Sequence, residues 1–555
     1  MPVCEQTMYS YKNINNLGGW LVFAIATFVY FSTMEPTASW WDSSERITAA
    51  YGLEIPHPPG APFFILMGRI FTMLAPDPSK AALFMNAMSA LAASFTVMLL
   101  FWIITHLGKK IISPVTGPTG IQIFTLMGSA LVGSMAFCFS DTQWFIAAEA
   151  EAYATSGLFT ALVFWLILKW ENAAGNKHSS KWLILITYLM GLSIGVHLLN
   201  LLVIPAIVFV YYFKLYRVTR KGIVYAAITS LLLLGGFVYI IIPGTLRMAL
   251  LFELAMVNYL GLPYHSGVLL YIIILAASFA YGLYYTHKNR RPVLNTIILG
   301  LVMVLVGYSS YALVVIRSSA GPPMDQNSPD NIVNLVSYLG REQYGTSPLL
   351  HGHYYSAPIT NLKEGRMRYI RENGRYLATS PRYKAEYHPE FTGFFPRMWS
   401  SDQSHIREYE RWGNIKGTHP TFVENIRFFL RYQVWHMYGR YFMWNFVGRQ
   451  NDNQSFGDIL NGNWLSGIRF IDEWRLGPQD NLPLHIAGHP ARNTYYGLPL
   501  LLGLAGMFYL HGIFDLDRNG CIGTFWVVTE SGFPENQQRV SYYYHIYFGT
   551  GAHGC

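Results

Sequence analysis

"SWWDSSERITAAYGLEIPHPPGAPFF", residues 39–64, decides how the rest of the chain is read. It follows "LGGWLVFAIATFVYFST", 17–33, an apolar run long enough to cross a membrane, since a crossing helix needs about 20 residues. Inside the stretch, Asp42, Glu45, Arg46, Glu54 and His57 lie close together, followed by the rigid "HPPGAP". Charge of this density directly after a span belongs in an aqueous loop at a membrane face.

The composition agrees. Hydrophobic residues make up 52% of the 555, aromatics 16% and charged residues only 13%, against about 25% charged in soluble domains. The first run lacks a small-residue cleavage site after it and reads as a retained span rather than a signal peptide. A net charge of +8 in such a chain is a topology signal, so no nucleic-acid partner is indicated. Four cysteines, Cys4, Cys138, Cys521 and Cys555, are scattered. They form neither a disulfide framework nor a metal set, and no metal ligands are assigned.

The fold class expected is an all-α polytopic membrane protein with about ten spans, near 17–33, 82–106, 121–139, 154–170, 182–197, 199–213, 222–243, 267–286, 293–316 and 494–513. Every second loop is basic. Lys109 and Lys110, Lys177 and Lys181, Lys214 to Lys221, and Lys288 to Arg291 mark one side, with Lys12 before the first span. That side, with the N-terminus, is expected to be cytoplasmic. The loops at 34–81, 140–153 and 244–266 then face outward. The parity fails if "APFFILMGRIFTMLA", 61–75, crosses the membrane, so it is expected to lie at the outer interface.

Four regions follow: 1–316 as a transmembrane catalytic domain, 317–493 as a mixed external segment packed on it, 494–513 as a further span, and 514–555 as an atypical tail. In 317–493, "QVWHMYGRYFMWNFVGRQNDNQ" reads as an amphipathic or interfacial helix. From "CIGTFWVVTE" on, the tail resembles no domain and reads as a frameshifted or truncated gene product.

Several residues could carry chemistry. Asp42 and Glu45 share a helix face if "DSSERITAAY" is helical; the plainer reading is a helix-capping acid. Pro58, Pro59 and Gly60 make a rigid corner beside His57, or simply a helix start. Glu151 sits at the start of a span, where acids are costly and usually functional, or else favour the helix N-terminus. His197 in "GVHLLNLL" is a packing residue or a weak site candidate. Arg69, Arg247, Arg317 and Arg341 are outward cations able to fork a phosphate, though most external arginines only solvate a surface.

Taken in order, "LEIPHPPGAPFFILMGRIF", "AEAEAYATSGLFTALVFWLILKWE", "GLSIGVHLLNLLVIPAI", "GPPMDQNSPDNIVNLVSYLGREQYG" and "RYFMWNFVGRQND" resemble the GT-C glycosyltransferase superfamily. A closer likeness is to a bacterial membrane family formerly of unknown function, related to protein O-mannosyltransferases of the transmembrane protein 260 type. Where bacterial relatives tend to have Asp-Cys-Gly-Glu, this chain has Asp42-Ser43-Ser44-Glu45, keeping both acids. The resemblance implies a GT-C-like bundle in a bacterial inner membrane with its active site on the outer face. It implies transfer of a sugar, mannose or similar, from a polyprenyl-phosphate donor to a protein Ser/Thr hydroxyl or a glycan acceptor. Asp42 and Glu45 would be catalytic, Asp42 as base. His57, Glu151, Arg69, Arg317 and His197 would bind substrate. A divalent metal is compatible with a phosphate leaving group. A transporter and a non-catalytic membrane scaffold are the alternatives; acids at loop edges and the absence of a visible repeat weigh against transport.

Overall fold

The apolar runs fold as helices, and prolines, glycines and buried acids set where each begins and ends. A computed structural model describes residues 2–112, 118–345 and 347–513. The atypical tail lies outside the described residues. The chain is mostly helical and divides into two compact units, one running to Gly340 and one over Arg341–Leu510.

The first unit contains α1 (Pro2–Thr33), α2 (Asp42–Gly52), α3 (Pro62–Met73), α4 (Ala81–Ile112), α5 (Gly120–Cys138), α6 (Asp141–Ala148), α7 (Ala152–Ala173), α8 (Ser180–Ile194), α9 (Ile204–Leu215), α10 (Arg220–Gly235), α11 (Ile242–Leu254), α12 (Ser266–Lys288), α13 (Pro292–Tyr308), α14 (Ala312–Ser318) and α15 (Ile332–Leu339). Among the described residues, eight helical runs are long and apolar enough to cross a membrane. The helix expected at 182–197 is shorter, because α8 stops after 15 residues at Gly195 and a 3-10 turn, Leu198–Val203, follows. The one expected at 494–513 forms Leu498–Ile513, 16 residues.

The expected outer loop at 244–266 is mostly helix instead. One run of 40 residues, Arg220–Tyr259, continues through Pro243. Proline lacks the N–H for an i→i−4 bond, and its ring collides with the carbonyl four residues back. Here the π-helical turn Gly236–Ile241 precedes it, and the wider turn moves that carbonyl away. The run closes against α12 through Glu253, a fully buried carboxylate. It accepts from the backbone N–H groups of His265 (2.6 Å), Gly267 (3.0 Å) and Val268 (3.1 Å), which satisfies the open N-terminus of α12.

Close packing joins the remaining helices. α4 packs against α1, α5 and α7 over the small residues Ala90, Ala92 and Ala93. At the α8–α13 contact a Cβ on Gly191 would meet the Val304 carbonyl oxygen at 2.3 Å, and one on Gly307 the Leu192 nitrogen at 2.4 Å. Lipid tails give helices no hydrophobic reason to associate, so such backbone approach carries the contact. Under the acidic loop, Ile47, Ala49 and Ala50 of α2 pack with Phe64 and Ile65 of α3 and Met85 and Met88 of α4. α3, the segment expected at the interface, is 12 residues long, short of a crossing.

The second unit is mixed. It holds β1 (His351–His353), β2 (Ile359–Glu372), β3 (Arg375–Tyr387), β4 (Thr392–Phe394), α16 (Gln403–Gly413), α17 (Phe422–Phe428), α18 (Arg440–Phe446), β5 (Gly448–Arg449), α19 (Arg469–Leu476), α20 (Leu484–Ala487), β6 (Asn493–Thr494) and α21 (Leu498–Ile513). The strands form three antiparallel pairs, β1–β4, β2–β3 and β5–β6. Tyr354, Met398, Tyr409 and Phe428 form its core. The aromatic stretch 433–454, expected as an amphipathic or interfacial helix, is helical as far as Phe446, where the π-helical Phe429–Gly439 runs on into α18, and then forms β5.

Candidate functional site

The stretch after the first span folds as a helix, a corner and a second helix, each held from elsewhere in the first unit. Trp41, at φ 71°, turns the chain so that Asp42 is the first residue of α2. The N-cap residue, Trp41, makes no side-chain capping bond to this helix. The Asp42 carboxylate instead faces Arg46 (3.7 Å) and His57 Nε2 (3.8 Å). Its side chain keeps 26% of its surface exposed.

Glu45, one turn on, is fully engaged. One carboxylate oxygen accepts from the His57 backbone N–H (2.8 Å) and the Gln326 amide (2.8 Å). The other meets His57 Nδ1. Burial draws the Glu45 carboxyl upward, but the His57 hydrogen bonds and charge, and then Arg46, leave it below its ordinary value. Asp42, Glu45 and His57 each offer one ligand atom, all within 4.8 Å of one another, and together could hold a divalent cation. None of them was assigned as a metal ligand from sequence.

Beneath them lies a buried pair. Arg46 donates to Glu151, which stands as the N-cap of α7 and makes no capping bond there. Burial pushes the Glu151 carboxyl up to about 7 against the pull of Arg46. Burial also opposes the charge on Arg46, but Glu151, Tyr153, Asp42 and Glu45 hold its pKa above the ordinary value. Arg46 is therefore a fixed cation under Asp42. His197 is one ring further out: its imidazole tilts against Tyr153 at 5.3 Å, and its Nδ1 accepts from Leu199 N–H (3.2 Å).

The corner is clamped by a late part of the chain. Ile55 bridges Asp325, with Ile55 N–H donating to Met324 (2.9 Å) and Gln326 N–H to Ile55 (3.1 Å). Tyr338 donates to the Pro56 carbonyl at 2.6 Å. Gly60 sits at φ 86°, where a Cβ would lie 2.3 Å from the Tyr338 hydroxyl. Arg317 donates to the Leu53 (2.8 Å) and Gly52 (3.1 Å) carbonyls, and Arg69 to the Tyr51 carbonyl. Both arginines thus serve the C-terminus of α2, where cations suit the helix dipole.

The structure therefore gathers Asp42, Glu45, His57 and Glu151, sets His197 beside them, and gives Arg69 and Arg317 structural partners. Sequence reasoning named Arg46 only as a neighbouring charge and did not single out Gln326. The late stretch "GPPMDQNSPD" was the only signal pointing toward Gln326.

Fold and site together point to a membrane protein with many apolar helices and an acid–imidazole cluster formed by α2 and the corner that follows it. Residues 42–220 match the family model described as Protein O-mannosyl-transferase TMEM260 N-terminal domain, a segment that begins at Asp42. Residues 345–430 match a second family, DUF8416, of unknown function. The chain resembles Protein O-mannosyl-transferase TMEM260 of Mus musculus, 30% identical over 199 residues, 35% of this chain and 26% of that protein. It also resembles the protein of the same name from Dictyostelium discoideum, 25% identical over 152 residues, 26% of this chain and 16% of that protein. The chain thus spans about a quarter or less of the curated relatives it matches. No solved structure matches it.

Proposed function

We propose that this chain is a membrane glycosyltransferase of the GT-C type. In this reading it passes a sugar, mannose first among candidates, from a polyprenyl-phosphate donor to a Ser/Thr hydroxyl of a protein, or to a glycan acceptor. The reaction takes place on the outer face of a bacterial inner membrane, with the N-terminus cytoplasmic. The likeness to protein O-mannosyl-transferases over 42–220 supports the class. The single observation that carries the residue assignment is the contrast between the two acids: Glu45 is filled with donors, whereas among the described residues Asp42 makes only the long contacts to Arg46 and His57 and stays partly open.

An acceptor hydroxyl is a weak nucleophile until a base takes its proton in the transition state. Asp42 accepts that proton while the hydroxyl oxygen attacks the anomeric carbon. The bond from that carbon to the phosphate oxygen breaks, and the lipid phosphate leaves with the electron pair. One base and a stabilised leaving group suffice, so the anomeric centre inverts. Arg46 holds the Asp42 carboxylate in place. Glu45 fixes His57, whose Nε2 lies 3.8 Å from Asp42 and would meet the donor phosphate beside it. Glu151 anchors Arg46, and His197 lines the side toward Tyr153.

Asp42→Asn is the test. The variant is expected to reach the membrane at the native level and to lose sugar transfer from mannosyl-phosphoryl-polyprenol by on the order of 10²–10⁴, the usual share of a general base. Native rates in Asp42→Asn would remove Asp42 from the base role. Unchanged glycoproteins in cells lacking the gene would remove the enzyme reading altogether.

A further inference from the structure

Among the described residues, one helix of the second unit leaves its two large aromatic side chains uncovered. α19 buries Asp472 and Leu476 and turns Phe470 and Trp474, each 83% exposed, outward. These two are four apart and share one face. Leu484, at the start of α20, is 90% exposed. The charges nearby are already paired within the unit. Arg469 binds Glu473 (2.7 Å) and Asp480 (2.7 Å), and Arg475 lies 3.4 Å over the Trp464 ring and donates to the Trp464 carbonyl. What remains on the outer face is aromatic and aliphatic surface.

The start of α19 is tied to the start of an apolar helix. Asp472 accepts from Ser466 N–H (2.9 Å) and Gly467 N–H (2.7 Å), fixing the turn that leads into α19. The Ser466 carbonyl in turn accepts from Tyr496 N–H at 3.0 Å. Tyr496 stands two residues before α21, whose Leu498–Phe508 portion is an apolar helix. Tyr495 N–H donates to Val447 (2.9 Å) and β6 pairs with β5, so the junction is stitched from three sides. Phe470 and Trp474 stand in the first and second turns of α19, about 6 Å apart along its axis. An apolar helix entering a bilayer at Leu498 would bring α19 to the headgroup level, where Trp and Phe side chains are favoured.

We propose that α19 is a membrane-surface helix, seating the second unit on a lipid bilayer through Phe470, Trp474 and Leu484 beside the entry point of α21. The partner is the lipid interface itself, with the paired charges of Arg469, Glu473 and Asp480 on its watery side.

Spin labels report the environment directly. The full chain, with its four cysteines replaced, is labelled singly at Phe470→Cys, Trp474→Cys or Leu484→Cys and reconstituted in vesicles of phosphatidylcholine and phosphatidylglycerol. Lys363→Cys, on an exposed strand, is the water-facing reference. The ratio of collisions with oxygen to those with a nickel chelate is expected to be several-fold higher at the first three positions than at Lys363→Cys. A ratio equal to the reference would place the face in water and overturn the proposal. Exclusion of both reagents would mean that protein, another copy or a different chain, covers the face, and would overturn it equally.

Discussion

At the scale of single residues, the two acids after the first span divide their work. Glu45 is a tie and Asp42 is the open carboxylate. Removing Glu45 as Glu45→Ala strands the His57 and Gln326 donors, which costs about 1–3 kcal/mol where such groups are buried. A lower apparent melting temperature in detergent is expected, together with slower transfer. Gln326→Leu keeps the shape but removes the amide, and is expected to slow transfer with little change in the melting temperature; native rates would free Glu45 from any need of it. Glu151 adds a pH dependence. Its folded pKa of about 7 lies above the ordinary 4.5, so its proton stabilises the fold fully below 4.5, and that contribution is lost as pH rises through 7. The melting temperature relative to Glu151→Gln should fall across that window, and a flat difference would contradict the burial of this acid. Asp42, Glu45 and His57 were legible in sequence because they lie within 15 residues. Gln326, 281 residues from Glu45, was not, because nothing local in an amide records the distant carboxylate it meets.

At the scale of helices, hydropathy located nearly every apolar run, since burial in lipid demands a long uncharged stretch whatever the neighbours are. Lengths were less legible. Pro243 reads as a stop in sequence, yet the π turn before it lets the helix run on to Tyr259, and only three-dimensional carbonyl geometry records that. The crossing of α8 and α13 depends on two glycines. Gly307→Ala would drive a methyl group into the α8 backbone, an overpacking that costs about 1–3 kcal/mol. A fall in melting temperature larger than that of Gly235→Ala, which has open space, is expected; equal falls would show that the helices separate freely.

At the scale of the molecule, the alternation of basic and acidic loops is the strongest statement about orientation, and labelling can read it. Trp40→Cys, at an 87% exposed position, should react with a membrane-impermeant maleimide in intact spheroplasts. Asn289→Cys, in the basic turn after α12, should react only after lysis. The reverse pattern would put the candidate site on the cytoplasmic face and end the outer-face proposal. The change of character after the ninth apolar run was visible as composition, but the compact first unit continues to Gly340, because the polar-looking stretch 321–339 packs back onto the corner it clamps.

That clamp has a consequence for how the protein is made. A ribosome delivers Asp42, Glu45 and His57 early, yet Arg317, Asp325, Gln326 and Tyr338, which lock the corner between Gly52 and Gly60, emerge only after the intervening helices have been inserted. The nascent chain therefore carries the acids without their frame for most of its synthesis. Completion of the site is a late event in biogenesis, and it comes due only once the whole helical unit stands behind it.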